Sequence, residues 1–162
     1  MEQKRSVIDS AQKVREETLS VIKKSSIEQL NKKVSSHNEA WTILEVTKHL
    51  YVSEDGMVKL MQLIKNHTDP NTLPGVPEDF DRDRYNKRQV QKLEELSKED
   101  ILTKLAESRQ NFVKFVNNLS EEDFAKKGRH ASLNIYTIAD IINIIPTHEQ
   151  EHLQKIKSIL GP

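Results

Sequence analysis

The chain has 162 residues, with 25 Lys and Arg set against 25 Asp and Glu, no cysteine and six histidines. Zero net charge argues against a protein whose main work is gripping nucleic acid or an anionic membrane, because those grips need excess positive charge. The missing cysteines exclude disulfides, thiolate nucleophiles, zinc ribbons and iron–sulfur clusters, and leave the histidines as the main metal donors.

The length suits one domain over residues 1–162. Four glycines and five prolines are too few for a turn-rich sandwich or barrel. No stretch approaches the ~20 apolar residues needed to span a bilayer. Met1 to Ser10 is charged and shows no apolar signal region, so the expectation is a soluble, cytoplasmic, mostly helical protein.

Four segments show helical periodicity, and no convincing period-two alternation is visible. The first runs from about Lys4 to Lys24, with Val7, Ala11, Val14, Thr18 and Val21 on one face. Ser25 to Val34 reads as a turn or helical fragment, and Ser35 to Ala40 as a polar loop.

The second segment spans Trp41 to about Asn66. Thr42 and Glu45 form a capping box, with Trp41 placed to staple onto Val46. Its apolar face continues through Val46, Leu50, Met57, Leu60, Met61 and Ile64.

From His67 to Leu96 the pattern breaks at Pro70, Pro74, Gly75 and Pro77, and Lys87 to Leu96 is the expected place for a short helix. A connection this long inside a compact domain is often functional.

The third segment opens on Ser97 with Asp100 three residues on, then repeats Ile101, Leu105, Ser108, Phe112, Phe115 and Leu119. Ser120 to Asp123 suggests a capped turn, and Lys126 to Asn134 a loop. The fourth segment follows the cap Thr137–Asp140 and stops at Gly161-Pro162. Four amphipathic segments of this length make an all-α four-helix bundle, with a long connection between its second and third helices.

The fourth segment carries the informative feature. Its stripe reads Ile138, Ile141, Ile145, His148, His152, Ile156 and Ile159. Two histidines one turn apart share a face and can bind one metal ion. Buried imidazoles also need partners for their polar nitrogens, which a metal supplies.

His49, at the edge of the second segment's apolar face, is the third candidate. It lies about 10 Å from the Thr42 cap, and His152 about 12 Å from the far end of the last helix. The levels coincide if the two helices run antiparallel, and the long 67–96 connection can carry the chain back to allow it.

The run Trp41 to Leu50 with Glu54, and the run His148-Glu149-Gln150-Glu151-His152-Leu153, resemble the DinB-like (DinB/YfiT) superfamily of metalloenzymes. The segments Asp81 to Asn86, Ser108-Arg109 and Gly128-Arg129-His130 are similar to one of its branches. The resemblance implies a four-helix bundle with a metal held by His49, His148 and His152. This chain departs from the common pattern at Glu151 and Lys155, and Pro146 precedes the pair, where it favours a local kink.

Three neutral imidazoles leave an open coordination position, the catalytic rather than the structural pattern. They suit a divalent ion, zinc or nickel first, with iron, copper or manganese as alternatives. The resemblance further implies thiol transfer or thiol-dependent isomerisation with a low-molecular-weight thiol cosubstrate such as bacillithiol or mycothiol. Metal-assisted hydrolysis is the alternative within enzymes. A non-catalytic, metal-binding or homodimeric bundle is the alternative outside them.

Secondary candidates are Glu54, to orient a ligand or line the pocket, and Tyr85, Asn86, Arg129 and His130, placed in loops that could rim it and hold a substrate anion. Plain polar contacts, or for Glu54 a solvated carboxylate, are the structural alternative for each. His37 and His67 read as exposed. The expected partner is a small molecule, not nucleic acid or membrane.

Overall fold

A computed structural model describes residues 2–34 and 41–161. The polar loop expected over 35–40, with His37, and the terminal Pro162 lie outside the described residues.

Four long helices form the bundle: α1 (Glu2–Lys24), α3 (Ile43–Asn66), α5 (Lys98–Asn117) and α6 (Ile138–Leu160). Each of the last three begins where its cap places it. Thr42 Oγ1 accepts from the Glu45 amide at 3.1 Å, and Glu45 Oε2 accepts from the Thr42 amide at 2.7 Å. Ser97 with Asp100, and Thr137 with Asp140, repeat the reciprocal arrangement. A one-turn helix, α2 (Ile27–Leu30), is capped in the same way by Ser26.

Two apolar clusters fill the interior. One joins Val7 and Ala11 of α1, Met57, Met61 and Ile64 of α3, Phe112, Phe115 and Val116 of α5, and Ile138, Ile141, Ile142 and Ile145 of α6. The other joins Ile22, Leu30, Ile43, Val46 and Ile156, with Trp41 and Leu102 packed against it. The clusters give the helix directions. The start of α3 meets the end of α6, so these two are antiparallel. By the same test, α5 runs parallel to α3 and α1 parallel to α6. The 67–96 connection therefore carries the chain back along the bundle, as the long break requires.

That connection contains α4 (Arg82–Gln91), which starts earlier than the expected Lys87 to Leu96. The reason is Asp81, whose Oδ1 accepts from the Arg84 amide at 3.0 Å and caps the helix ahead of the charged run. Tyr85 and Asn86 consequently lie on a helix, not in a loop.

The expected loop 126–134 is partly an antiparallel hairpin, β1 (Lys127–Arg129) with β2 (Ile135–Thr137). Three-residue strands are too short to show alternation. Gly75 bridges to the Arg129 backbone at φ 130°, and a side chain on it would collide with that backbone. Glycine thus lets the connection dock on the hairpin.

The helix α6 continues through Pro146. Its buried line differs from the expected one: it runs through Ile145, Glu149, Leu153 and Ile156, and His148 and His152 sit half-buried beside it. Val21 of α1 is likewise displaced from the deepest positions by Ile22. Both lines satisfy helical spacing, and only packing decides between them.

Candidate metal centre

The helices α3 and α6 bring His49, His148 and His152 together. Nε2 of His148 lies 3.3 Å from Nε2 of His49 and 3.2 Å from Nε2 of His152. One ligand atom from each residue can be chosen so that all lie within 4.8 Å of one another. The rings meet edge to face, with His148 and His152 centroids 4.6 Å apart.

The donor set fits a metal. Nitrogens about 2.1 Å from a tetrahedral ion stand roughly 3.4 Å from each other, close to the observed separations. Hydrogen bonding alone cannot account for the contact. A neutral imidazole nitrogen offers either one proton or one lone pair, so His148 Nε2 cannot satisfy both neighbours. A cation that accepts a lone pair from each can.

Electrostatics holds the rings in the form that binds. Burial, then repulsion from His148, His152 and Arg82, keeps His49 well below its usual pKa. Burial also lowers His148, against the opposing pull of Glu151 and Glu149. Burial, with repulsion from His148 and Lys155, lowers His152 to about 4. All three rings are neutral donors at pH 7. His49 is buried, and the α6 pair is half-buried.

Trp41 tilts its ring on His49 at 5.1 Å, and Ser53 Oγ, one turn along α3, lies 3.3 Å from both His49 ring nitrogens. Sequence reasoning missed Ser53, although its spacing of four from His49 was a usable signal.

The secondary candidates separate. Glu54 is buried, so the solvated alternative is excluded, and it turns away into a network described below. Arg129 lies on β1 rather than in a loop, and its guanidinium is paired with Glu78 at 2.8 Å. Tyr85 is exposed and packs on Phe80. Asn86 is half-buried on α4. His130 lies in the hairpin turn, where burial and then the Arg82 charge lower its pKa. Its Nδ1 accepts from the Ser132 amide at 3.2 Å. His67 is half-buried rather than exposed, and closes a turn with Thr72. Glu151 and Lys155 line a groove of about 760 Å³ between α1 and α6 whose walls include none of the triad.

The largest feature missed by sequence reasoning is a buried charge network. Arg15 of α1, Glu54 of α3, Arg109 of α5 and Glu149 of α6 are 3%, 2%, 4% and 2% exposed. Arg15 Nε donates to Glu149 Oε1 at 2.8 Å, and its Nη2 donates to Glu54 Oε2 at 3.0 Å and Glu149 Oε2 at 2.9 Å. Arg109 Nε donates to Glu54 Oε2 at 2.9 Å, and its Nη2 reaches both carboxylates. Ser108 Oγ completes the group, donating to Glu54 Oε1 at 2.9 Å. Burial pushes the Glu149 carboxyl up, but Arg15 and Arg109 outweigh it and hold the group below its usual range.

An antiparallel pair of helices in a four-helix bundle, joined by three convergent neutral imidazoles, defines a class of helical protein whose side chains could hold a metal ion. The model of the DinB superfamily matches residues 10–156, and the chain belongs to that superfamily. The uncharacterized protein YuaE of Bacillus subtilis (strain 168) is 28% identical over 148 residues, which cover 88% of this chain and 90% of that one. A solved structure of YfiT from Bacillus subtilis matches with a TM-score of 0.78 at 17% identity, over 98% of this chain and 86% of that one. YfiT is described as a probable metal-dependent hydrolase with an unusual four-helix bundle topology, and the likeness shows the fold. Among the described residues, no helix is long and apolar enough to cross a membrane.

Proposed function

We propose that this protein is a metal-dependent enzyme that uses the His49–His148–His152 site to activate a low-molecular-weight thiol and transfer it to a small electrophile. The observation that carries this reading is the convergence of three neutral ring nitrogens with, among the described residues, no carboxylate grouped with them. A divalent ion held there would supply an open position that deprotonates a thiol or a water molecule and polarises a carbonyl.

The chain's own residues favour the thiol. The buried carboxylates that flank the triad in sequence, Glu54 and Glu149, are both committed to arginines, and Glu151, next to His152, is exposed in the groove between α1 and α6 whose walls include none of the triad. Neither buried carboxylate is free to take a proton from water or to hand one to a leaving group. A thiol, with an ordinary pKa near 8.5, needs far less help than water. The chain has no cysteine, so the thiol must arrive as a cosubstrate. Arg82 of α4, whose positive charge bears on His49 and His148, could meet an anionic cosubstrate, and His130 of the hairpin turn, kept neutral by burial and by Arg82, could offer it a hydrogen bond.

A second reading, hydrolysis, is favoured by the description of YfiT. One assay separates the readings. Zinc- and nickel-loaded protein is offered low-molecular-weight thiols with an electrophile, and separately esters and amides without thiol, each with and without chelator. Thiol-dependent, chelator-sensitive conjugation supports transfer. Chelator-sensitive turnover without thiol replaces transfer by hydrolysis. Inactivity in both arms leaves a non-catalytic metal-binding bundle.

A further inference from the structure

We propose that the Arg15–Glu54–Arg109–Glu149 network is a positioning device: it sets the separation and axial register of the helices that carry His49 and the His148–His152 pair. The proposal rests on the reading of the triad as a metal site.

Both arginines bridge both carboxylates. Arg15 ties Glu54 of α3 to Glu149 of α6, and Arg109 ties the same two residues again. Glu149 follows His148 directly, and Glu54 stands five residues past His49, about 7.5 Å along the axis. The tie therefore lies within roughly a turn and a half of every ligand. The arginines are themselves anchored across the bundle. Arg15 donates to the Leu105 carbonyl of α5, and Arg109 to the Ala11 carbonyl of α1. All four long helices thus share one reference point.

Energetics points to register rather than stability. A buried ion network gains little over apolar side chains of the same volume, because desolvation offsets the attraction. Interdigitated aliphatic side chains would fill this layer at least as well. What they lack is direction: two parallel N–H···O contacts allow one relative placement of donor and acceptor. A metal site needs such control, since its ligands must be held to within about 0.5 Å.

The test replaces the whole network at once, so that no charge is orphaned, with Arg15→Met, Glu54→Leu, Arg109→Met and Glu149→Leu. Cobalt(II) titration followed by visible absorption reads ligand geometry, and nitrogen NMR of the imidazoles in metal-free protein reads the rings directly. A melting temperature that is kept or raised, with cobalt affinity lowered at least tenfold and ring signals shifted, is the expected result. A folded variant with affinity within twofold of wild type and unchanged rings overturns the proposal.

A second variant, Arg15→Lys with Arg109→Lys, keeps the charge and loses the double bridges. It should weaken cobalt binding about threefold or more, and it decides by the same criteria if the quadruple variant does not fold. His148→Ala with His152→Ala is the control for the metal reading. Should wild type show no cobalt binding that this control removes, the metal reading fails, and the ring signals alone decide positioning: shifted rings sustain it and unchanged rings overturn it.

Discussion

The glutamates of the arginine–glutamate network lie within about a turn and a half of the histidine triad on the same two helices, yet one cluster is closed and the other open. In the network two positive and two negative groups cancel, and each oxygen of Glu54 and Glu149 accepts from a donor of the network. In the triad, three lone pairs converge and His148 Nε2 cannot serve both neighbours. Polar groups inside a fold are thus either satisfied by the chain or left for a ligand. The difference separates an architectural cluster from a chemical one more reliably than burial does, since His49 is nearly as buried as the arginines.

The sharpest way to test the contrast is to damage each cluster in turn. Replacing His148 and His152 together by Ala should lower zinc or cobalt affinity by about a thousandfold or more, since one imidazole cannot hold the ion alone. Circular dichroism of the metal-free variant should match wild type, because the pair is half-buried beside the apolar line of α6 and not part of it. Equal metal content in both preparations, purified without a histidine tag, would show that the triad is not the site.

Damage to the network should behave in the opposite way. Arg15→Met leaves Glu54 and Glu149 with only Arg109 between them. Breaking a buried charge pair costs about 3–5 kcal/mol, and for a chain of this size that corresponds to a melting temperature lower by roughly 10 °C. Differential scanning calorimetry of the metal-free protein checks it. A drop of only a degree or two would mean that the network is better solvated than its burial indicates.

The two clusters also differed in how legible they were. The helices announced themselves locally: Thr42 with Glu45, Ser97 with Asp100 and Thr137 with Asp140 are signals three residues long, and all three caps form. The His148–His152 pair was legible for the same reason, being one turn apart on one helix. His49 needed only a plausible helix direction. The network had no local signature. Arg15 meets partners 39 and 134 residues away, and charged residues on a helix otherwise read as solvated surface. Glu149 was passed over because the apolar stripe was traced through its neighbour His148. The start of α4 and the short hairpin depended on single caps and three-residue pairings, which packing selects and pattern does not reveal.

Acid offers a third comparison. In the unfolded chain each triad imidazole takes up a proton near pH 6.5, whereas in the folded chain His152 does so only at about 4, and His49 and His148 also below their usual value. As pH falls from 6.5 towards 4 the unfolded state binds protons that the folded state refuses, so stability declines; above 6.5 these groups contribute no slope. The metal-free protein should lose about 5 °C of melting temperature between pH 7 and pH 5. The His148→Ala, His152→Ala variant should lose less. Metal-loaded protein should start higher and fall more steeply, as protons compete for the ring nitrogens. Thermal melts at fixed ionic strength read all three, and a flat profile for the metal-free wild type would contradict the burial of the rings.

The smallest expected effect probes the border between the clusters. Ser53 Oγ is 3.3 Å from both His49 ring nitrogens, and among the described residues it is the side-chain hydroxyl bonded to the triad. Its loss in Ser53→Ala removes one neutral hydrogen bond, worth about 1 kcal/mol, and loosens the orientation of a ring that Trp41 still holds from its other neighbours. Metal affinity should fall about fivefold while the melting temperature of the metal-free protein stays within a degree or so. Isothermal titration with zinc measures the first and calorimetry the second. If stability falls and affinity does not, Ser53 belongs with the architecture. If affinity alone falls, the hydroxyl belongs with the chemistry, and the open cluster extends one turn further along α3 than its three ligands.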